Sequence, residues 1–424
     1  MKAAVLKGIE DLEIKDIPKP KISEYEILIK VKACTICGTD IRLFHHGHKH
    51  LSFPRVTGHE LAGEIVEIGD KVTGYQIGQR VAVAPAVPCG SCYYCRRGMQ
   101  SMCLNLRAIG YHYNGGFAEF MAVPENAVRN GCVNPLPDNL TFEEAALAEP
   151  LACAINGQEL SHIGLGDVVV VVGAGPLGCM HIQLARAKGA TKLILIELAE
   201  SRINFAKKFV DPDVIINPSF EDPVPRVKEE TEGRGADKII IACPSAKAQE
   251  DSLKMVAPRG IINFFGGLPM DRPFINFNSN LVHYGEFYVV GTHGSAPYHN
   301  ELSLKLISSG KVKVKELITH RFPLERFEEA IKLAESKEAM KVVVCPLRKG
   351  SAFIFISNAF FSIKSKASSW VKTPVVHPIA VTADAPTALA NLKVFSRSQP
   401  LRIPNINPAS KASPPPEGST TLTL

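Results

Sequence analysis

No stretch of this sequence stays apolar for the roughly 20 residues that a bilayer crossing needs. The longest apolar runs, VVVVVG at 168–173 and SAFIFISNAFFSI at 351–363, stop well short. The amino-terminal MKAAVLKGIEDLEI has neither an apolar signal core nor a small-residue cleavage site, and it carries acids that a transit peptide avoids. A cytoplasmic protein without a membrane role is the expectation. A basic stripe is missing too. The net charge is +6, but from Arg348 onward nine Lys and Arg face only Asp384 and Glu417, which leaves 39 basic and 40 acidic residues in 1–347. The body is neutral and has no basic run interleaved with aromatics, so nucleic-acid binding is not expected.

A chain of 424 residues, 46% hydrophobic and 21% charged, is long enough for two domains with cores of their own. Residues 1–150 contain short apolar runs broken by Gly, Pro and Asp, such as YEILIKVKA, GEIVEIG and GQRVAVAPAV. These predict short strands joined by turns, as in a partly open barrel. From about 165 the texture changes. DVVVVVGAGPLGCMHIQLARAKGATKLILIEL reads as strand, glycine turn, helix and strand, which is a βαβ unit. The alternation continues to about 280, after which PLERFEEAIKLAES has helical spacing and KVVVCP reads as a strand. Residues 348–424 are rich in Ser, Pro, Thr and Ala without a sustained period; their composition favours disorder or a loosely attached tail.

In a reducing compartment, eleven cysteines are better explained as metal ligands or core residues than as disulfides. Cys89, Cys92, Cys95 and Cys103 fall within fifteen residues as C-x2-C-x2-C-x7-C. Four thiolates on a short loop suit a structural zinc with no open position; an iron–sulfur cluster or unliganded thiols are the alternatives. A second set is dispersed. Cys37, the adjacent His59 and Glu60, and Glu149 supply the three ligands and close fourth group that a catalytic zinc with an open position requires, whereas His59 and Glu60 taken alone would read as a polar turn.

With these pieces in place, the sequence from about 1 to 347 resembles the zinc-dependent medium-chain dehydrogenase/reductase family. GHELAGEIVEIGDKV fits its zinc signature, the four-cysteine lobe follows, and GAGPLG opens a cofactor half. CGTD and EPLA point to the sorbitol or polyol dehydrogenase branch, with threonine, butanediol and sugar-phosphate dehydrogenases as relatives. The resemblance implies an α/β protein with a β-rich GroES-like catalytic domain at 1–150, completed by 285–347. It places a Rossmann domain with a doubly wound parallel sheet at 151–284, and a homodimer or homotetramer is expected.

It further implies Cys37, His59 and Glu149 as zinc ligands, with Glu60 bound directly or through water, and Thr39 as the group that passes on the substrate proton. Cys153 is the rival ligand, expected instead to pack in the core. Arg42 departs from the family, where many relatives have a histidine that ends the proton relay. An arginine cannot exchange a proton near neutral pH. His45 and His46 are possible substitutes, a solvated histidine loop the alternative.

Gly173, Gly175 and Gly178, with Leu177 between the last two, follow a β-branched run and precede a helix, as dinucleotide binding requires. Glu197, nineteen residues after Gly178, is placed to accept from ribose hydroxyls and to favour NAD over NADP. Arg202 packs near the adenine in relatives, or is a solvated helix residue here. By resemblance alone, Gly266 and Gly267, and Thr292 and His293, lie on loops that reach the nicotinamide.

Overall fold

The computed structural model describes residues 1–347. The expectation of a disordered 348–424 tail lies outside the described residues.

Ile27–Thr35 is the central strand of the first half, and its alternating branched residues are almost all buried. It pairs with Glu60–Ile68, then Arg80–Val83 and Val133–Pro135 follow outward, while Phe120–Val123 also pairs with the central strand. On the other side lies Lys341–Cys345, antiparallel, with Val343 opposite Thr35, and beyond it Ile318–Pro323. The chain therefore returns to its first sheet near the end of the described residues. A smaller sheet of Asp11–Asp16, Lys2–Gly8 and Arg55–Val56 lies alongside. One core unites both ends of this half, and within it Phe117 meets Phe327 with ring centroids 4.4 Å apart.

The second sheet is parallel throughout. Its order is Val214–Ile216, Lys192–Ile196, Val168–Val172, Ala236–Ile241, Val256–Phe264 and Tyr288–Gly291. This is the doubly wound dinucleotide order, with the crevice where the direction of winding reverses. Helices cover both faces, so Val169, Val170 and Val171 are fully buried and the strand reads VVVVV without alternation. The sixth strand, Tyr288–Gly291, extends this sheet past the boundary expected at 284/285, because it pairs with Val256–Phe264 and with no strand of the first half. No helix among the described residues is long and apolar enough to cross a membrane.

Candidate active site

Gly90 and Gly98 have positive φ, and two short 3-10 turns, Cys95–Arg97 and Gln100–Met102, fold the cysteine loop on itself. The sulfurs of Cys89, Cys92, Cys95 and Cys103 come together within 4.8 Å of one another. Backbone amides of Ser91 and Cys92 lower the Cys89 pKa to about 5, while burial and its neighbouring thiols push Cys95 up to about 12. Amides aimed at one sulfur and crowding at another are what four donors gathered for a single cation show, and the set fits a closed zinc site. Cys92→Ser should remove one zinc per chain and expose the 88–106 loop to proteolysis. Unchanged zinc content would contradict this assignment.

The second cluster is held by the start of a helix and a strand end. Cys37 precedes the helix Gly38–His46, and its amide donates to Asp40 Oδ2 at 2.9 Å. The other oxygen of Asp40 accepts from the Gly58 amide at 3.2 Å and faces His59 Nδ1 at 3.6 Å, which leaves Nε2 for a metal. Cys37, His59 and Glu60 have ligand atoms within 4.8 Å of one another. Burial would lower the His59 pKa, yet Asp40 and Cys37 raise it well above the usual imidazole range. A metal cation is the alternative source of the positive charge this cluster calls for, and two anionic donors with an imidazole suit zinc.

Glu60 is wholly buried, and its Oε2 accepts from both Thr35 Oγ1 and Lys341 Nζ, which also donates to the Ile36 carbonyl at 3.2 Å. Burial opposes the charge on Lys341, but Glu60 and Cys37 outweigh it and raise its pKa. Glu149, in the first turn of the helix Ala148–Leu160, stands outside the compact three-ligand set. Burial raises its pKa, and His59, Glu60 and Lys341 are all near enough to act on it. Cys153 does not pack as a core residue. One helical turn after Glu149 it lies on the same face, and its thiol donates to Glu149 Oε1 at 3.4 Å.

Thr39 sits in the turn after Cys37, its hydroxyl accepting from Arg42 Nη2 at 3.4 Å. His45 is taken up elsewhere: Nδ1 lies 2.8 Å from Glu10 and Nε2 3.0 Å from Glu335. His46 is exposed.

In the second half, Gly173 has φ +106°, and a Cβ on Gly178 would lie 1.8 Å from the Gly173 carbonyl oxygen, so this turn requires glycine. Gly175 caps the helix Pro176–Ala187, which carries Leu177 and Gly178 in its first turn. A cavity of about 910 Å³ opens there, lined by Gly173, Gly175, Glu197, Arg202 and Lys247. Glu197 uses both oxygens on backbone: Oε2 accepts from Ala174 at 2.6 Å, and Oε1 from Leu198 and Ala199 at 2.8 and 2.9 Å. With about four lone-pair positions, the carboxylate keeps one uncommitted. Arg202 lies over the glycine turn, with Nη1 3.8 Å from where a Gly175 Cβ would be. Gly266 packs against the Cys243 backbone, leaving no room for a side chain, whereas Gly267 is open. Thr292 exchanges hydrogen bonds with the buried Asn263, and His293 is exposed.

Sequence reasoning missed Asp40, Thr35 and Lys341 as partners of the ligands. Asp40 had a signal, three residues beyond Cys37 at the spacing of a capping box.

The model of the alcohol dehydrogenase GroES-like domain matches residues 23–136, and that of the zinc-binding dehydrogenases matches 176–309. The chain belongs to the zinc-dependent alcohol dehydrogenase family. This dehydrogenase is 36% identical to L-threonine 3-dehydrogenase of Pyrococcus furiosus over 349 residues, covering 81% of this chain and 97% of that one. It is 34% identical to sorbitol dehydrogenase of Bombyx mori over 360 residues, at 81% and 97% coverage. A structure from Sinorhizobium meliloti, described as a zinc-binding dehydrogenase bound to NADP, matches with a TM-score of 0.76 at 30% identity, covering 81% of this chain and 99% of that one.

Proposed function

We propose that this dehydrogenase oxidises a secondary alcohol of a polyol to a ketone. The gathering of Cys37, His59 and Glu60, with Glu149 and Cys153 at its edge, carries this reading. Bound zinc would supply the Lewis acidity that lowers the pKa of the substrate hydroxyl, and NAD the acceptor for hydride. Asp40 orients His59, while Lys341 and Thr35 hold one oxygen of Glu60. Thr39 relays the hydroxyl proton, giving up its own as it accepts one; Arg42, bonded to that threonine, cannot carry the proton further. L-Threonine is the second reading, favoured by the Pyrococcus relative. A kinetic screen of polyols, threonine and butanediol with NAD separates the two, and turnover of none of them would reject both.

NAD is the preferred cofactor in this proposal, because Glu197 places a carboxylate where the 2′-phosphate of NADP would approach. Losing a hydrogen bond to a charged acceptor costs about 1.5–3 kcal/mol, so NAD should win by at least roughly tenfold in kcat/KM. Glu197→Ala should weaken NAD and relieve NADP. Steady-state kinetics with both cofactors decide the matter: a ratio unmoved by the substitution rules Glu197 out as the discriminator.

Among the described residues, Tyr288–Gly291 ends the parallel sheet with an unpaired edge, and Tyr284 and Tyr288 are 82% and 62% exposed beside it. An exposed strand edge flanked by aromatics invites pairing, which supports a homodimer or homotetramer.

A further inference from the structure

The turn that follows the cysteine loop carries one aromatic side chain to the cluster of Cys37, His59 and Glu60. Gly110 has φ +83°, and a Cβ there would lie 3.3 Å from the Gly58 carbonyl oxygen, so the turn presses on the backbone that leads into His59. The Ala108 carbonyl accepts from the amides of Tyr111 and Tyr113, each at 3.3 Å, and the Gly110 amide donates to the Tyr113 carbonyl at 2.9 Å. This holds Tyr111 over His59, with ring centroids 6.4 Å apart and planes tilted by 49°. Elsewhere its ring meets that of His48 edge-on at 5.3 Å and packs against the small core of Leu6, Leu43 and Leu51.

The ring of Tyr111 is fully engaged, and its hydroxyl is not. Among the described residues the phenol has no hydrogen-bond partner, although Tyr111 is half-buried. Tyrosine hydroxyls in such places usually find one. Tyr75, half-buried on the same domain, donates to the Val133 carbonyl at 3.1 Å. Burial is the main cause that raises the Tyr111 pKa; Asp40 and Cys37 add to it, and His59 and Arg42 oppose it. The phenol therefore keeps its proton and stands within electrostatic reach of two members of the cluster. Such a group both donates and accepts, which matches an alcohol; a carboxylate only accepts and an ammonium only donates.

We propose that Tyr111 is a specificity residue, whose phenol donates to a second hydroxyl on the carbon next to the carbinol and so selects vicinal diols over monoalcohols. This rests on the secondary-alcohol reading above and adds the side chain that recognises the rest of the substrate. With its ring on that of His59, the phenol meets the substrate beside the carbinol and not at the far end of the chain. A monoalcohol in the same place leaves the phenol unpaired in a partly desolvated site, and a hydrogen-bonding group left unpaired is what discriminates most strongly between otherwise similar substrates.

The test uses the full-length, zinc-loaded protein with NAD and a racemic pair that differs by one hydroxyl, butane-2,3-diol and butan-2-ol. Wild type should have kcat/KM at least about tenfold higher for the diol, since one hydrogen bond made or left unmade in such a site contributes on the order of tenfold. Tyr111→Phe keeps the ring and removes the donor, and should bring that ratio to about twofold or less. Each alcohol also forms a dead-end complex with the NADH-bound protein, in which no reaction occurs. Dissociation constants read there by NADH fluorescence should lose the same preference in the variant. Equal kcat/KM for the pair in wild type overturns the inference, and so does a variant in which the ratio is kept, whether or not both rates fall. Either result leaves alcohol oxidation standing. Oxidation of neither alcohol and of no longer polyol rejects the secondary-alcohol reading, and the inference with it.

Discussion

Replacing Cys37 by serine should abolish turnover while leaving the fold intact. Serine is a poor zinc ligand, and loss of the metal removes a Lewis acid that contributes several kcal/mol of charge stabilisation, about 10³-fold or more in kcat/KM. The four-cysteine loop is untouched, so elemental analysis should fall from two zinc ions per chain to one. Cys37 also precedes a helix, and its backbone amide, which serine retains, still donates to Asp40 Oδ2. Near wild-type activity, or two zinc ions retained in the variant, would contradict the assignment of Cys37.

The second large effect is expected at Lys341. It is 6% exposed and Glu60 is 1% exposed, and the pair links the strands Glu60–Ile68 and Lys341–Cys345, which flank Ile27–Thr35 on either side. Lys341→Met keeps the length of the side chain but strands a buried carboxylate. Breaking a buried pair from one side costs about 3–5 kcal/mol. Zinc stands as an alternative partner for Glu60, so the loss should be largest after the exchangeable metal is stripped and smaller when it is restored. Denaturant unfolding of both forms measures the difference; a change below about 1 kcal/mol in the stripped protein would show that the pair contributes little.

The contrast between these two residues explains what the sequence made legible. The four cysteines and the glycines at 173, 175 and 178 act through neighbours in the chain, where spacing itself encodes geometry. The parallel sheet was equally readable, because a strand buried on both faces loses its alternation and VVVVV can lie only inside. Lys341 carries no such mark. At the head of KVVVC it looks like a solvated strand end, and only the antiparallel return beside Ile27–Thr35 brings it to Glu60, 281 positions away. Cys153 stands outside the three-ligand cluster, as expected, but is half-buried with its thiol on Glu149 instead of packing in the core. Tyr288–Gly291 pairs in the second sheet and not in the half expected for 285–347, because a short strand between glycines shows where it begins and ends but not which sheet it joins.

Zinc-dependent oxidation of an alcohol at Cys37, His59 and Glu60 is the central claim. Its most direct test is the rate of NADH formation from a secondary alcohol before and after chelation of the exchangeable metal, followed by zinc replacement. The account predicts turnover that disappears on chelation and returns with zinc while the cysteine-loop metal stays in place. Turnover that persists after the exchangeable zinc is gone would contradict it.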